Sequence, residues 1–530
     1  MNDANSANSA AREAAYAAIK NHQSTTTSIM EYRSRGRVLV IGSGDLADGA
    51  AFMLPAPLSA RILRLDDDAE DDVSVVCAGR PISITGHLGQ FVIHIGEEGD
   101  VDTQILTADL ILDLGDNPQL TTPLKPPGYL WNGTDPDTLE TSVEELGELV
   151  GTFEKPRYFD YDAAICAHGR SGQAGCNRCI EACPAEAITG LIESIEVDPY
   201  RCQGGGMCAT VCPSGAIRYA YPQLSDSLER IRQMLRAYLE AGGSNPVVAF
   251  VAEADANTFN LLPDNVLMVE LEELGSVGIE VWLSTLAFGA RQVALLQGDS
   301  VLDVVVPVIN EQVDIAQRIL AFLGYGNDSL VMVSGDTALP PIPALPENAR
   351  NVSHAPMNDK RNMLFAAIDT LAAHLDTTEI TLSLPSGAPF GQVLVDSAKC
   401  TLCMGCTSVC PAQALVAGGD SPRLIFHEMN CVQCGICETA CPENAISLDP
   451  RLNLDIDMRR RGVTLHEETP FTCVECGKPF ATRSAIDLIL GKLKDHPMFA
   501  TERARRRLKM CDDCRVMDVV QDDQAMNRMN

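Results

Sequence analysis

CTLCMGCTSVCP at 400–411 and CVQCGICETACP at 431–442 decide how this chain is read. Each segment has the spacing Cys-x2-Cys-x2-Cys-x3-Cys-Pro, with Cys400, Cys403, Cys406 and Cys410 in one and Cys431, Cys434, Cys437 and Cys441 in the other. Thiolates are soft, strong donors, and this spacing suits iron–sulfur cubes. Two-residue spacers let the backbone curl around one cube, so three sulfurs converge from one loop. The fourth cysteine starts a short helix, cannot turn back, and reaches the other cube. The expected sets are Cys400, Cys403 and Cys406 with Cys441, and Cys431, Cys434 and Cys437 with Cys410. Gly405 and Gly435 are small enough to let backbone amides approach the sulfides, and such hydrogen bonds tune potential.

The string Cys-Pro-x-x-Ala-(Ile/Leu) occurs four times, starting at Cys183, Cys212, Cys410 and Cys441. Four copies in two pairs mean two copies of one pseudo-symmetric module. These residues resemble bacterial-type dicluster ferredoxins, over 153–222 and again over 390–450. The resemblance implies a small α+β fold with paired hairpins and two short helices.

The first copy departs from the pattern. Cys176-x2-Cys179-x3-Cys183 has Gln173 where a further cysteine is expected, and Cys166 lies ten residues upstream of Cys176. We expect a loop to bring Cys166 in, giving the set Cys166, Cys176, Cys179 and Cys212. The other half reads Cys202-x5-Cys208-x3-Cys212, with Gly205 at the second-cysteine position. Its set is Cys202, Cys208 and Cys183 only. One cube corner is then unheld, so a 3Fe-4S or a labile 4Fe-4S cluster is expected here, beside three 4Fe-4S clusters elsewhere. The alternative is an empty, structural half. His168 reads as an ordinary loop histidine.

Cys473-x2-Cys476-Gly477 and Cys511-x2-Cys514 look like two knuckles of a zinc-ribbon-like unit. Two thiolates from each tight turn close a four-sulfur tetrahedron, the usual structural zinc site. The same ligands suit a fifth iron–sulfur cluster or a rubredoxin-like iron. The basic run 503–509 between the knuckles reads as a solvated helix face.

Outside the cysteine blocks the chain reads as multidomain α/β and α+β. A flexible terminus (1–35), disordered or loosely helical, precedes an N-terminal α/β domain (36–152). The first dicluster module (153–222) leads into a small parallel α/β domain (223–335), where apolar runs alternate with helical stretches. A proline-rich linker and a helix (336–389) lead to the second module (390–450) and the C-terminal unit (451–530). Gly42-x-Gly44-x-x-Ala47 after a strand, with Asp66-Asp67-Asp68 after the next, matches a dinucleotide-binding fingerprint in outline. Pro55 and Pro57 cut the following helix short, which favours a plain βα turn. The 245–300 segment resembles the delta-subunit domain of methyl-viologen-reducing hydrogenases but lacks that domain's cysteines, so a scaffold or docking role is expected. Cys77 reads as a buried small hydrophobe. The order of parts, with Phe153-Glu154-Lys155-Pro156-Arg157-Tyr158-Phe159 running into Cys183, resembles cytoplasmic iron–sulfur proteins encoded beside molybdenum formate dehydrogenases.

The net charge is −32, and the segment 451–530 is nearly balanced, so the negative charge lies in the first 450 residues. Nucleic acid is therefore not an expected partner. Solubility accounts for the acidity, and docking onto basic redox partners is the sharper reading. Residues 1–20 hold no apolar core of a secretory signal, and no stretch reaches a membrane span. Clustered cysteines then point to a reducing, cytoplasmic setting with no membrane insertion. No catalytic triad, P-loop or haem motif is present. The expected function is a non-catalytic electron carrier or an oxidoreductase subunit, relaying single electrons between redox partner proteins such as a formate dehydrogenase. The alternatives are an oxidoreductase subunit with a nucleotide or flavin site in the N-terminal domain, and a redox-sensing or maturation factor.

Overall fold

The computed structural model describes residues 2–66, 74–77, 79–97, 103–259, 261–335, 337–349, 354–375, 380–419 and 421–522. Asp67 and Asp68 of the acidic run, and positions 336 and 350–353 of the proline-rich linker, lie outside the described residues. The chain forms two compact units. The first comprises Met1–Tyr161, Arg178–Gly190 and Ile195–Leu371; the second comprises Asp162–Asn177, Leu191–Ser194 and Ala372–Asn530.

In the first unit, alternating apolar residues build a parallel five-stranded sheet. Its order is Ser74–Val76, Ser59–Arg64, Arg37–Gly42, Leu110–Asp113, Tyr129–Trp131. Val38, Val40, Leu110 and Leu112 face the helices Gly44–Met53 and Leu139–Glu148, through Ala47, Ala50, Val143 and Leu146. Leu39, Ile41 and Ile111 face an antiparallel sheet of Ile82–Thr85, Phe91–Ile95 and Gln104–Ala108. This two-sided burial is the direct product of the period of two. Cys77 is buried in that second layer.

A second parallel sheet follows, in the order Val266–Leu271, Val247–Ala252, Gln292–Gln297, Leu330–Ser334. Its strands are near-continuous apolar runs, as a sheet covered on both faces requires. Helices Leu224–Glu240, Ile279–Ala287 and Val306–Phe322 alternate with them.

At the N-terminus the helical alternative holds, and the helix is packed. Residues 2–19 form a helix, Asn2–Ile19, packed against Leu224–Glu240. Ala11 and Ala15 are fully buried, small enough for close helix contact. The Asn8 side chain accepts from the Ser244 amide at 2.9 Å, Arg12 pairs with Asp264 at 2.8 Å, and the Tyr16 hydroxyl accepts from the Met268 amide at 2.8 Å. A strand, Ile29–Ser34, then pairs antiparallel with Gly151–Pro156. Polar composition had suggested a loose tail; the alanine face supplies the contacts that order it.

In the second unit, Gly391–Val395 pairs with Ile446–Asn453, and Leu415–Ala417 pairs with Arg423–Phe426. The short helices Gly405–Ser408 and Ile436–Thr439 complete a mixed α+β body. Its core joins Val393, Leu415, Leu424, Phe426 and Ile446 to the cysteines themselves. A hairpin of Pro470–Thr472 and Pro479–Thr482 and the helices Arg483–Lys492, Glu502–Arg507 and Asp512–Val520 form the C-terminal part. Among the described residues, no helix is long and apolar enough to cross a membrane.

Candidate metal centres

The loops that present the cysteines share one backbone device. Leu402 and Met404, on either side of Cys403, have φ of 53° and 61°, and Gln433 and Gly435, on either side of Cys434, have 54° and 82°. Gly204 and Gly206, on either side of Gly205, have 82° and 73°. Left-handed residues in such alternation turn successive N–H groups inward, a nest that suits anionic iron–sulfur cores. Gly205 therefore stands where Cys403 and Cys434 stand. A Cβ on Gly205 would meet only Pro184 Cγ, at 3.9 Å.

The Cys-Pro repeat is equally regular. The third residue after each cysteine is left-handed: Glu186 (φ 47°), Gly215 (72°), Gln413 (52°) and Asn444 (47°). The amide of the very next residue then returns to the sulfur in three copies, with Ala187, Ala414 and Ala445 donating to Cys183, Cys410 and Cys441 at 3.4, 3.2 and 3.3 Å. In the fourth copy the Ser214 hydroxyl takes the Ala216 amide at 3.3 Å and lies 3.6 Å from Cys212 Sγ. The altered Ser214-Gly215 pair thus changes how the sulfur of Cys212 is solvated.

In the second unit, Cys400, Cys403, Cys406 and Cys441 line one small cavity. Cys410, Cys431, Cys434 and Cys437 line another. These are the two groupings that spacing predicted. Burial, with the neighbouring thiolates adding to it, pushes Cys406 up to about 12 and Cys434 to about 11. Thiols raised this far stay neutral in the absence of a cation, and ionise on binding metal. Each donor set and its amide nest therefore fits an iron–sulfur cube. Gln433, which sequence reasoning missed, donates from Nε2 to Cys431 Sγ at 3.2 Å.

The first block divides between the units: Cys166 and Cys176 belong to the second, and Cys179, Cys183, Cys202, Cys208 and Cys212 to the first. The missing cysteine at Gln173 is replaced by a hairpin, in which Gly169 pairs with Ala174 and Arg170 with Gln173. Its turn residues Ser171 and Gly172 both have positive φ, 53° and 74°, as a tight two-residue turn requires. The ladder continues through Gly175 N to His168 O (2.7 Å) and Cys176 N to Ala167 O (2.8 Å), so Cys166 and Cys176 stand together at its open end. His168 is a clasp of this hairpin, its ring nitrogens 3.2 Å from Cys176 O and 2.9 Å from Leu191 O.

Within the first unit, Cys208 is pushed well above the ordinary thiol range by burial, and by the charges of Cys202, Cys183 and Cys179. Lys155, also missed, donates to Tyr200 O at 2.9 Å and Cys202 O at 2.5 Å. Burial lowers it to about 8 against the opposing pull of Cys202 and Asp198. No spacing rule flags Lys155, because its partners are backbone carbonyls far along the chain.

The four C-terminal cysteines are set differently. The sulfurs of Cys473, Cys476, Cys511 and Cys514 all lie within 4.8 Å of one another, and Cys476 and Cys511 are 3.7 Å apart. A tetrahedral ion with bonds of about 2.3 Å needs sulfurs about 3.8 Å apart. This donor set fits one ion, because a cube with an iron at each corner holds its thiolates farther apart. Cys473 is lowered to about 6: burial would raise it, but the backbone amides of Cys476, Cys511 and Glu475 outweigh that. The basic run keeps a solvated face, with Arg503, Arg505 and Arg506 exposed, while also pairing with nearby acids. Arg503 and Arg507 pair with Asp518 and Asp522, and Arg506 pairs with Glu475.

The glycine fingerprint is also accounted for internally. Gly44 N donates to Asp66 Oδ2 at 2.7 Å, and a Cβ on Gly42 would lie 3.1 Å from Leu114 Cβ and 3.3 Å from Ala47 Cβ. Gly42 answers to the packing of strand on helix, and Gly44, with open space around it, to a left-handed φ of 54°.

Residues 399–446 match a family model described as a 4Fe-4S dicluster domain, and residues 174–216 match a second model of that description. The chain carries two 4Fe-4S dicluster domains. The first match begins at 174, beyond Cys166, where the hairpin replaces the usual cysteine spacing. The dicluster domains establish iron–sulfur chemistry and support an electron-transfer role. A search of curated proteins returns no match.

Proposed function

We propose that this chain is a multi-cluster electron relay, passing single electrons between redox partner proteins. The observation that carries the reading is the recurrence of one ligand-presenting backbone at Leu402–Met404, Gln433–Gly435 and Gly204–Gly206. The ligand sets are Cys400, Cys403, Cys406 and Cys441; Cys431, Cys434, Cys437 and Cys410; and Cys166, Cys176, Cys179 and Cys212, each for a 4Fe-4S cluster. Cys183, Cys202 and Cys208 hold a 3Fe-4S cluster, with Gly205 leaving the fourth corner without a thiolate. Cys473, Cys476, Cys511 and Cys514 hold structural zinc, and the short sulfur separations favour one ion over a fifth cluster. A formate dehydrogenase as partner rests on the likeness of 153–183 alone.

When bound, the clusters supply one-electron chemistry. The chain's own residues hold them with thiolates, orient amides at the sulfides and exclude water from the two cysteine-lined cavities. Iron, acid-labile sulfide and zinc per chain, measured on anoxically purified protein, test the reading. Three four-iron clusters, one three-iron cluster and the zinc site predict about 15 iron and about one zinc. About eight iron would confine clusters to the 400–441 domain and sink the relay.

A further inference from the structure

We infer that electrons cross between the two dicluster domains where the 169–176 hairpin meets helix Ile436–Thr439, passing between the cluster held by Cys176 and the cluster held by Cys434. The inference rests on the ligand sets proposed above, and all the residues that make the contact lie within the second unit.

The contact is a close one. A Cβ at Gly175 would fall 2.4 Å from Ala167 O within the hairpin itself, and 2.6 Å and 2.7 Å from Ile436 Cγ1 and Cδ1, so glycine serves both the hairpin's own pairing and its close approach to the helix. Ile436 is completely buried and sits between Cys434 and Cys437 in sequence. It also lines the cavity shared by Cys410, Cys431, Cys434 and Cys437. On the other side of the contact, Gly175 adjoins Cys176, whose amide is fixed to Ala167 O at 2.8 Å. The hairpin is anchored from behind by the bonds of His168 to Cys176 O and Leu191 O, and by Ser171 N donating to Glu193 Oε1 at 2.7 Å.

Tunnelling falls exponentially with edge-to-edge distance, so the shortest gap between the domains carries the current. The contact puts the Cys431 set in the near position and the Cys400 set, around its separate cavity, in the far position. The exposed thiol of the far set, Cys403, then marks the edge open to a partner. In each crossing one electron leaves one cluster, which goes from its reduced to its oxidised state. The facing cluster goes from oxidised to reduced, and no bond or proton moves. Gly175 and Ile436 are positioning residues for this step.

The test uses the full chain, purified without oxygen and reduced with dithionite. The spin relaxation of the first-block clusters is read by electron paramagnetic resonance. Cys434→Ala removes the near neighbour, and the expected result is loss of the fast-relaxing, broadened component. Cys403→Ala removes the far neighbour and leaves that component as in the wild type. Equal effects, no effect, or a larger effect of Cys403→Ala would overturn the inference. Should Cys434→Ala cost about eight irons instead of about four, by emptying the whole domain, Ile436→Ala decides. It keeps every cysteine, and wild-type iron with a weakened broadened component is expected. Wild-type iron with unchanged broadening rejects the crossing point. A wild-type content of about eight iron would fell the relay reading itself. Full iron loading with unaltered relaxation would fell only this inference.

Discussion

Gly205→Cys should convert the three-thiolate site into a complete one. Gly205 has ordinary φ, unlike Gly204 and Gly206 on either side, so a side chain there meets no backbone strain. The nearest atom to a new Cβ is Pro184 Cγ at 3.9 Å, an ordinary van der Waals distance. Replacing glycine at a compatible position stabilises by about 0.4–1 kcal/mol through the unfolded chain. The fold should therefore tolerate the change, and the new thiol occupies the place of Cys403 and Cys434 in the matching loops. The expected outcome is a gain of about one iron per chain, as a cube corner is filled. In the same sample the paramagnetic signal of the oxidised three-iron cluster should disappear. Gly204→Cys is the control. It forces a side chain into a left-handed residue at about 1–2 kcal/mol, and its Cβ would overlap the Tyr158 ring at 2.8 Å. That variant should lose first-block iron. A Gly205→Cys protein that folds, keeps the three-iron signal and gains no iron would refute the claim that an unheld corner lies at residue 205.

Other tests address separate parts of the molecule. Cys476→Ser should release zinc and expose the segment beyond residue 470 to protease while leaving the iron content unchanged, because metal binding supplies most of the folding energy of such units. Lys360 donates to Ala209 O and Thr210 O at 2.7 and 2.6 Å and pairs with Glu280 at 3.7 Å, all out of solvent. Lys360→Met leaves a buried carboxylate and two carbonyls without that cation, a loss of about 3–5 kcal/mol. It should lower the midpoint of denaturant unfolding, with early loss of iron from the Cys208 segment. Glu273 is raised to about 7 by burial, reinforced by Asp255 and Glu272. Between about 4.5 and 7 the folded chain holds more protons than the unfolded one, so stability falls as pH rises through that window. Partial exposure limits the effect to about 1–3 kcal/mol. Glu273→Gln should flatten this dependence in melting curves taken at pH 5 and pH 8, and an unchanged slope would assign the dependence to other groups.

The cysteine spacing by itself determined the chemistry. Three sulfurs two residues apart converge on one centre, and a following Cys-Pro points away from it. Those local constraints grouped Cys400, Cys403 and Cys406 with Cys441 before any contact was known, and these four line one cavity. The short continuous apolar runs at 37–42 and 247–252 likewise marked strands, because length and β-branched content are local properties.

What only the tertiary structure decided depends on residues far apart in sequence. Residues 2–19 read as loose, yet Asn8, Arg12 and Tyr16 find partners at Ser244, Asp264 and Met268. The 503–509 arginines read as a solvated face, and Arg503, Arg505 and Arg506 are exposed, but the pairing of Arg507 with Asp518 and Asp522 appears only in the fold. Lys155 and Gln433 give no signal in the sequence, since their roles are hydrogen bonds to a backbone carbonyl and to a sulfur. Gly175 meets Ala167 O within its own hairpin, and its approach to Ile436, more than two hundred residues away, shows only in the folded chain. Ligand type and local spacing are written along the chain, and proximity between distant segments exists only once the chain has closed on itself.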